Sequence, residues 1–421
     1  MTRWWGLRPR WWFLLSAGMV LAWASTYAHT QLFAPDTGSY LWHSLWYGGT
    51  GQSQALCQAH DFLQQHEAIQ PSACPSAPNP FNESFQRSRV LYPLLSVPFV
   101  LLFGNGGILA VPLLAAVVAV VGMTVLLARV APEPVAVLVS LGAFATAPLL
   151  TISLSALTEG PVLALEVAVL LLLPLRATGR GQPPGPADTR RVLVWVAIGL
   201  AVTAIGLTRQ ATPVISGMIA FGWLAALVGH RRGHGSWIWR TGWTGPLVAA
   251  VVGNLASLLW LQLTGASQTT LAFQATGASS WPEALRRYPG VLASVARGEL
   301  LTAWKYPLLL LAVGLALVWL FRRPLSVPAM MLVGAALGVI VLQVGSPYAT
   351  FLRVESAGVP AVLLAIGCLL GGWSGGWKPV VEQPPEAVPT EPPAQLVPAS
   401  VESSPERTRT AGFADGVQQS G

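Results

Sequence analysis

The sequence predicts an all-α, polytopic transmembrane helical bundle of about ten spans, and three observations carry that prediction. Of the 421 residues, 53% are hydrophobic and only 10% are charged, where a soluble chain would carry about 25% charged residues. Apolar runs of about 18–23 residues recur along the chain, the length a helix needs to cross a bilayer. The arginines gather in short loops between those runs: RATGRGQPPGPADTRR (176–191), HRRGHGSWIWR (230–240) and FRRP (321–324). Such clusters mark cytoplasmic loops under the positive-inside rule. The net charge of +7 is thereby explained without a nucleic-acid partner.

The first run, 11–33, follows a basic start and could pass for a signal peptide. Its apolar stretch reaches toward Phe33, and Trp4, Trp5, Trp11 and Trp12 form an interfacial belt, so a retained span is expected. Further spans are expected at 107–128, 134–152, 158–175, 192–208, 212–229, 243–264, 304–321, 325–344 and 356–373. LYPLLSVPFVLLF (91–103) is too short to cross comfortably and carries two prolines. It is expected to be a re-entrant or interfacial segment.

Arg3, Arg8 and Arg10 place the N-terminus inside. If 91–103 does not cross, residues 34–90, 153–157, Arg209, 265–303 and 345–355 fall outside. Arg129, the clusters at 176–191 and 230–240, Arg322 and Arg323 fall inside. A full crossing at 91–103 would break that alternation. The membrane domain is therefore expected over 1–373, with a first outer loop at 34–90 and a later one at 265–303. Residues 374–421, rich in proline, glutamate and serine, are expected to form a disordered cytoplasmic tail. A bacterial inner (plasma) membrane is the expected location, with both termini cytoplasmic.

With the sides assigned, Asp36, Glu159, Arg209, Lys305, Arg353 and Glu355 sit near the outer ends of spans. Orientation does not explain basic residues there, and charge at membrane depth points to a site. Thr37–Tyr47 puts Tyr40, Leu41, Leu45 and Trp46, with Trp42, toward one side of a helix suited to the membrane surface. Asp36 at its start is either an N-cap or a general base at the lipid–water boundary. Glu159, in SALTEGPVLALEV, either caps the helix opened by Pro161 or faces a cavity; Glu166, two turns on, is a packing carboxyl or a site residue. Arg209, in GLTRQATP, and Arg353, in SPYATFLRVESAG, either snorkel to headgroups or offer a planar fork of donors to a phosphate. Glu355 is a near partner for Arg353, and Lys305, in TAWKYP, fits an interfacial anchor.

Residues 281–300 read as a second surface-lying amphipathic helix carrying Arg286, Arg287 and Arg297. Cys57 and Cys74 share one polar loop, which fits a disulfide in an oxidising outer compartment, although connectivity is not readable from sequence. There is no phosphate-cradling glycine loop with its lysine, no His-Glu-x-x-His and no Cys-x-x-Cys. No cofactor is expected; a divalent metal is left open, without histidine ligand spacing to support it.

Taken in order, PDTGSYLWHSLWYGG, RSRVLYPLLSVPFVLLFG, LTEGPVLALEVAVLLLL, GLTRQATP and FLRVESAG resemble the GT-C superfamily of integral-membrane glycosyltransferases. The likeness is greatest to bacterial members similar to protein mannosyltransferases and lipid A aminoarabinose transferases, and it covers residues 1–373. The resemblance implies an outward-facing active site that takes a sugar from a polyprenyl-phosphate donor and gives it to an envelope glycan, lipid or protein. It implies Asp36 as catalytic base or acceptor-orienting group and Glu159 as a second acidic residue. Arg209 and Arg353, then Lys305 and Arg89, would hold the lipid phosphate. Many relatives pair two acidic residues in the first loop; here Asp36 is followed by Thr37. The rival expectations are a transporter or flippase of envelope lipids or glycans, which favours charges near the midplane, and a catalytically silent envelope scaffold.

Overall fold

The computed structural model describes residues 7–29, 32–77, 87–175, 189–233, 242–265, 273, 275–345 and 352–373. Met1–Lys378 form one compact unit. The tail expected to be disordered and most of the basic loops at 176–191 and 230–240 lie outside the described residues.

Among the described residues the ordered elements are helical. In chain order they are α1 (Pro9–His29), α2 (Pro35–Tyr47), α3 (Gln52–Gln65), α4 (Leu91–Phe103), α5 (Ala110–Leu127), α6 (Glu133–Phe144), α7 (Ala147–Leu154) and α8 (Glu159–Leu172). Then follow α9 (Thr189–Thr208), α10 (Thr212–Gly233), α11 (Thr244–Leu263), α12 (Trp281–Trp304), α13 (Pro307–Arg322), α14 (Val327–Gly345) and α15 (Val359–Trp373). Short 3₁₀ turns, Asn105–Leu109 and Glu355–Gly358, lead into α5 and α15.

Among the described residues, five stretches are long and apolar enough to cross a membrane: Asn105–Leu127, Arg191–Thr208, Thr244–Leu263, Val327–Gly345 and Glu355–Gly372. The pair α12–α13, bent by 104°, makes a sixth if counted as one span. The chain is therefore a helical membrane protein in which, among the described residues, five or six helices meet that length and composition; the other expected spans do not meet it by themselves. Two expected spans are shortened for identifiable reasons. The run 134–152 breaks between α6 and α7, where Pro148 cannot continue a helix from Phe144. The run 158–175 stops at Leu172, because Leu173 is extended ahead of Pro174. At 14 residues, α8 is about 21 Å long, short of the roughly 30 Å hydrocarbon core.

Small residues set the packing of the long helices. A Cβ on Gly217 of α10 would lie 2.2 Å from the Gly334 carbonyl of α14, and one on Gly334 would lie 2.2 Å from the Gly217 carbonyl. These two antiparallel backbones touch, as glycine interfaces in membranes allow. Elsewhere the surface stays apolar: Val248, Val251, Val252, Leu255, Leu258 and Leu259 of α11 are at least half exposed, the pattern of a lipid-facing side.

The segment 91–103 is a 13-residue apolar helix, shorter than a membrane crossing needs. Tyr92, at its start, donates its hydroxyl to the Ile108 carbonyl at 3.0 Å, just before α5 begins. Gly107 lies so close over α4 that a Cβ there would meet the Phe99 carbonyl at 2.1 Å. The chain thus leaves α4 and folds back against it before α5 begins.

Helices α2, α3 and α4 form a separate lobe with its own core of Tyr40, Leu41, Trp42, Phe62, Tyr92 and Ile108. Here α2 departs from the surface-lying helix expected: Tyr40 through Leu45 are all buried, and Trp46, expected on the same face, is 39% exposed. A disulfide joins Cys57 to Cys74 across a sequence separation of 17 residues, which stabilises the lobe by about 3 kcal/mol and fits an oxidising compartment. The later outer helix matches expectation better, since α12 is amphipathic and turns sharply into α13.

Candidate active site

The site is built where α2, α8, α10 and α15 all begin, at one end of the bundle. Its first part is a backbone staple. The Ala156 amide donates to the Leu32 carbonyl at 2.9 Å, and the Thr37 hydroxyl donates to the Ala156 carbonyl at 3.1 Å. The same hydroxyl accepts the Ala34 amide at 3.0 Å. Thr37, not Asp36, therefore caps the first turn of α2, and the N-cap position itself is Ala34. The cap reading of Asp36 is overturned: its carboxylate is left to point elsewhere.

The staple brings Asp36 close to Glu159, the first residue of α8. Gly160 makes this turn feasible, because a Cβ there would meet the Ser153 carbonyl at 2.5 Å. Four charged side chains then converge from four distant segments. Arg353 Nη1 donates to Asp36 Oδ2 at 3.0 Å, and Arg353 Nε donates to Glu159 Oε1. Arg209 Nη1 donates to the same Glu159 oxygen. Side-chain exposure is 1% at Glu159, 15% at Arg209, 24% at Arg353 and 43% at Asp36. One buried carboxylate thus holds two guanidiniums, and one of them reaches out to a carboxylate in contact with water.

Electrostatics separates the two arginines. Burial pulls Arg209 below its ordinary value, with Arg353 and Arg89 adding to the effect and Glu159 opposing it. Burial also acts to lower Arg353, but Glu159 and Asp36 outweigh it and hold this guanidinium above its ordinary value. Both remain charged at any physiological pH.

The other expected residues divide. Arg89 is 7% exposed and donates to the Tyr40 hydroxyl at 3.0 Å, which places it at the back of the cluster. Lys305 is exposed at the C-cap of α12 and makes none of the cluster's ion pairs. Glu355 does not pair with Arg353, whose ion pairs run to Asp36 and Glu159. Glu166 is fully buried, and neither of its oxygens has a hydrogen-bond partner.

One residue went unnoticed in the sequence. Glu299 of α12 is 7% exposed, and its Oε2 accepts the Leu352 amide at 2.7 Å. A signal was present, since Ala284, Val295 and Glu299 lie along the one buried stripe of α12, a stripe an amphipathic helix reserves for apolar side chains.

As chemistry, the arrangement offers a water-exposed carboxylate beside two cations held by a second, buried carboxylate. Among the described residues, no group of three or more histidine, cysteine, aspartate or glutamate residues comes together to hold a metal. No family model, curated protein or solved structure matches this chain.

Proposed function

We propose that the chain is a membrane glycosyltransferase that moves a sugar from a polyprenyl-phosphate carrier to a cell-envelope acceptor. The observation that carries this reading is the pairing of exposed Asp36 with Arg353, which shares buried Glu159 with Arg209. Glycosyl transfer needs two things at once: a base for the acceptor hydroxyl, and positive charge at the departing phosphate. Asp36 takes the hydroxyl proton as the acceptor oxygen bonds to the anomeric carbon, a step worth typically 10²–10⁴-fold. The bond between that carbon and the phosphate oxygen breaks, and its electron pair stays on the phosphate. Arg353 and Arg209 stabilise the charge that develops there. Glu159, beneath both guanidiniums, positions them. Arg89 supports the same end through Tyr40, and Lys305 anchors the protein at the interface.

The reading places the cluster at the outer face of a bacterial inner membrane, with both termini cytoplasmic. It counts ten spans: the six above together with α1, the broken pair α6–α7, α8 and α10. The prenyl tail lies against the apolar helices.

Mass spectrometry of polyprenyl-phosphate sugars and envelope glycans tests this in wild type, a deletion strain, and a strain carrying Asp36→Asn at matched protein level. Donor accumulation with a missing glycan residue in both mutants is expected. Full rescue by Asp36→Asn sinks the transferase. Glu166 is the specific observation that favours the rival transporter or flippase, since a fully buried carboxyl without a hydrogen-bond partner suits a proton or cation path. On that reading Glu166→Gln, rather than Asp36→Asn, abolishes function.

A further inference from the structure

We propose that Glu299 is a positioning residue that sets the reach of Arg353, and that α12 is the element through which the membrane surface acts on the site. The inference deepens the transferase reading and rests on it for its functional half.

The observations begin at Leu352. This residue has φ +69°, a left-handed backbone that a bulky side chain adopts only when its surroundings hold it there. It is also buried, at 6% exposure. The Glu299 carboxylate accepts its amide at 2.7 Å, and the Ser356 amide donates to its carbonyl at 3.0 Å. The next residue is Arg353, whose guanidinium spans Asp36 and Glu159. A change in the backbone at Leu352 therefore swings the one side chain that links the exposed carboxylate to the buried one.

Helix α12 holds this stretch at a second point. The Tyr288 hydroxyl donates to the Val344 carbonyl near the end of α14. Tyr288 and Glu299 are eleven residues apart, three turns of one helix, so the same face of α12 grips the chain at Val344 and at Leu352. The opposite face is built for lipid. On that side Leu300, Leu301 and Trp304 are each at least half exposed, and the axis turns by 104° into α13. An amphipathic helix of that kind, carrying Arg286 and Arg297, lies on a membrane surface. Glu299 is then the connection between a lipid-bound helix and the catalytic arginine.

The test uses the full chain in lipid nanodiscs. Amide hydrogen exchange reads the Leu352 hydrogen bond directly, and binding of a short-chain polyprenyl phosphate reads Arg353. For Glu299→Ala we expect exchange at Leu352 to rise at least about tenfold and binding to weaken about tenfold. Glu299→Gln, whose amide oxygen still accepts, retains most of both and guards against a folding defect. In an Arg353→Ala background, Glu299→Ala produces no further loss of binding, because the two act as one unit.

Additive losses in the double variant, or unchanged exchange at Leu352 in Glu299→Ala, overturn the positioning role. Nanodiscs of neutral and of anionic lipid separate the role of the surface: Leu352 protection rises with anionic lipid, and protection that ignores lipid composition overturns that part. If wild type fails to bind polyprenyl phosphate, the transferase reading is what fails, and the clasp stands or falls on exchange alone.

Discussion

The two ends of the bundle use charge in opposite ways. At the end where α8, α10 and α15 begin, Arg209 and Arg353 share the carboxylate of Glu159, which is 1% exposed, and Arg353 goes on to Asp36. At the other end, Arg8 meets Glu133 at 3.7 Å with 44% of its side chain exposed, and Arg129 donates to the Leu171 carbonyl at 3.1 Å. An arginine that sets orientation can keep its head in water and needs no dedicated partner. An arginine drawn below the surface requires a carboxylate, since an unpaired buried charge costs several kcal/mol. The first kind of charge can be moved along a loop with little consequence. The second cannot.

The largest effect that can break this contrast is expected for Glu159→Gln. It leaves two mutually repelling guanidiniums without their shared counter-ion, and should destabilise the protein by about 3–5 kcal/mol, read as a lowered midpoint of thermal unfolding in detergent. A shift no larger than that of a surface pair would mean that water, not Glu159, stabilises the arginines.

Asp36→Asn separates chemistry from stability. Because Asp36 is 43% exposed, its pair with Arg353 should contribute no more than about 1 kcal/mol to folding, while sugar transfer should fall by about 10²–10⁴-fold. Measured together on purified protein, a large loss of stability with little loss of transfer would reverse the roles assigned to Asp36 and Glu159.

Replacing Cys57 and Cys74 by serine should cost about 3 kcal/mol, confined to the α2–α3–α4 lobe. Hydrogen exchange should quicken in α3 and leave the glycine-packed α10–α14 pair unchanged. Equal acceleration in both would show that lobe and bundle unfold as one unit.

The smallest effect is expected for Glu133→Gln at the far end, less than about 1 kcal/mol and diminished further by salt. A loss comparable to that of Glu159→Gln would erase the distinction between the two ends.

Much of this arrangement was legible in the sequence, residue by residue. Asp36, Glu159, Arg209 and Arg353 stand out because charge is rare and each falls at the end of an apolar run, outside the arginine clusters. The short helix at 91–103 was also legible, from the length of its apolar run. The buried α2 was not: its aromatics at helical spacing fit a membrane surface as well as a protein core, and only α3 and α4 on either side decide between them. The breaks at Pro148 and Pro174, which shorten two of the expected helices, were present in the sequence as prolines but were not weighed against the length of the apolar runs. Glu299 was hidden by composition, since a glutamate on an amphipathic helix is ordinarily solvated.

Hydropathy and loop charge act on each segment by itself. The sequence alone therefore determined that this is a helical membrane protein, and which of its few charged residues stand at the ends of apolar runs. Only the tertiary structure decided who pairs with whom. Arg353 lies 194 residues from Glu159 and 317 from Asp36, and no local rule chooses between Glu355, two residues away, and partners that distant. The choice is made by the staple at Thr37 and Ala156, by the close approach at Gly160, and by the left-handed turn at Leu352. Each of these places a backbone, and the side-chain chemistry follows from where the backbone was put.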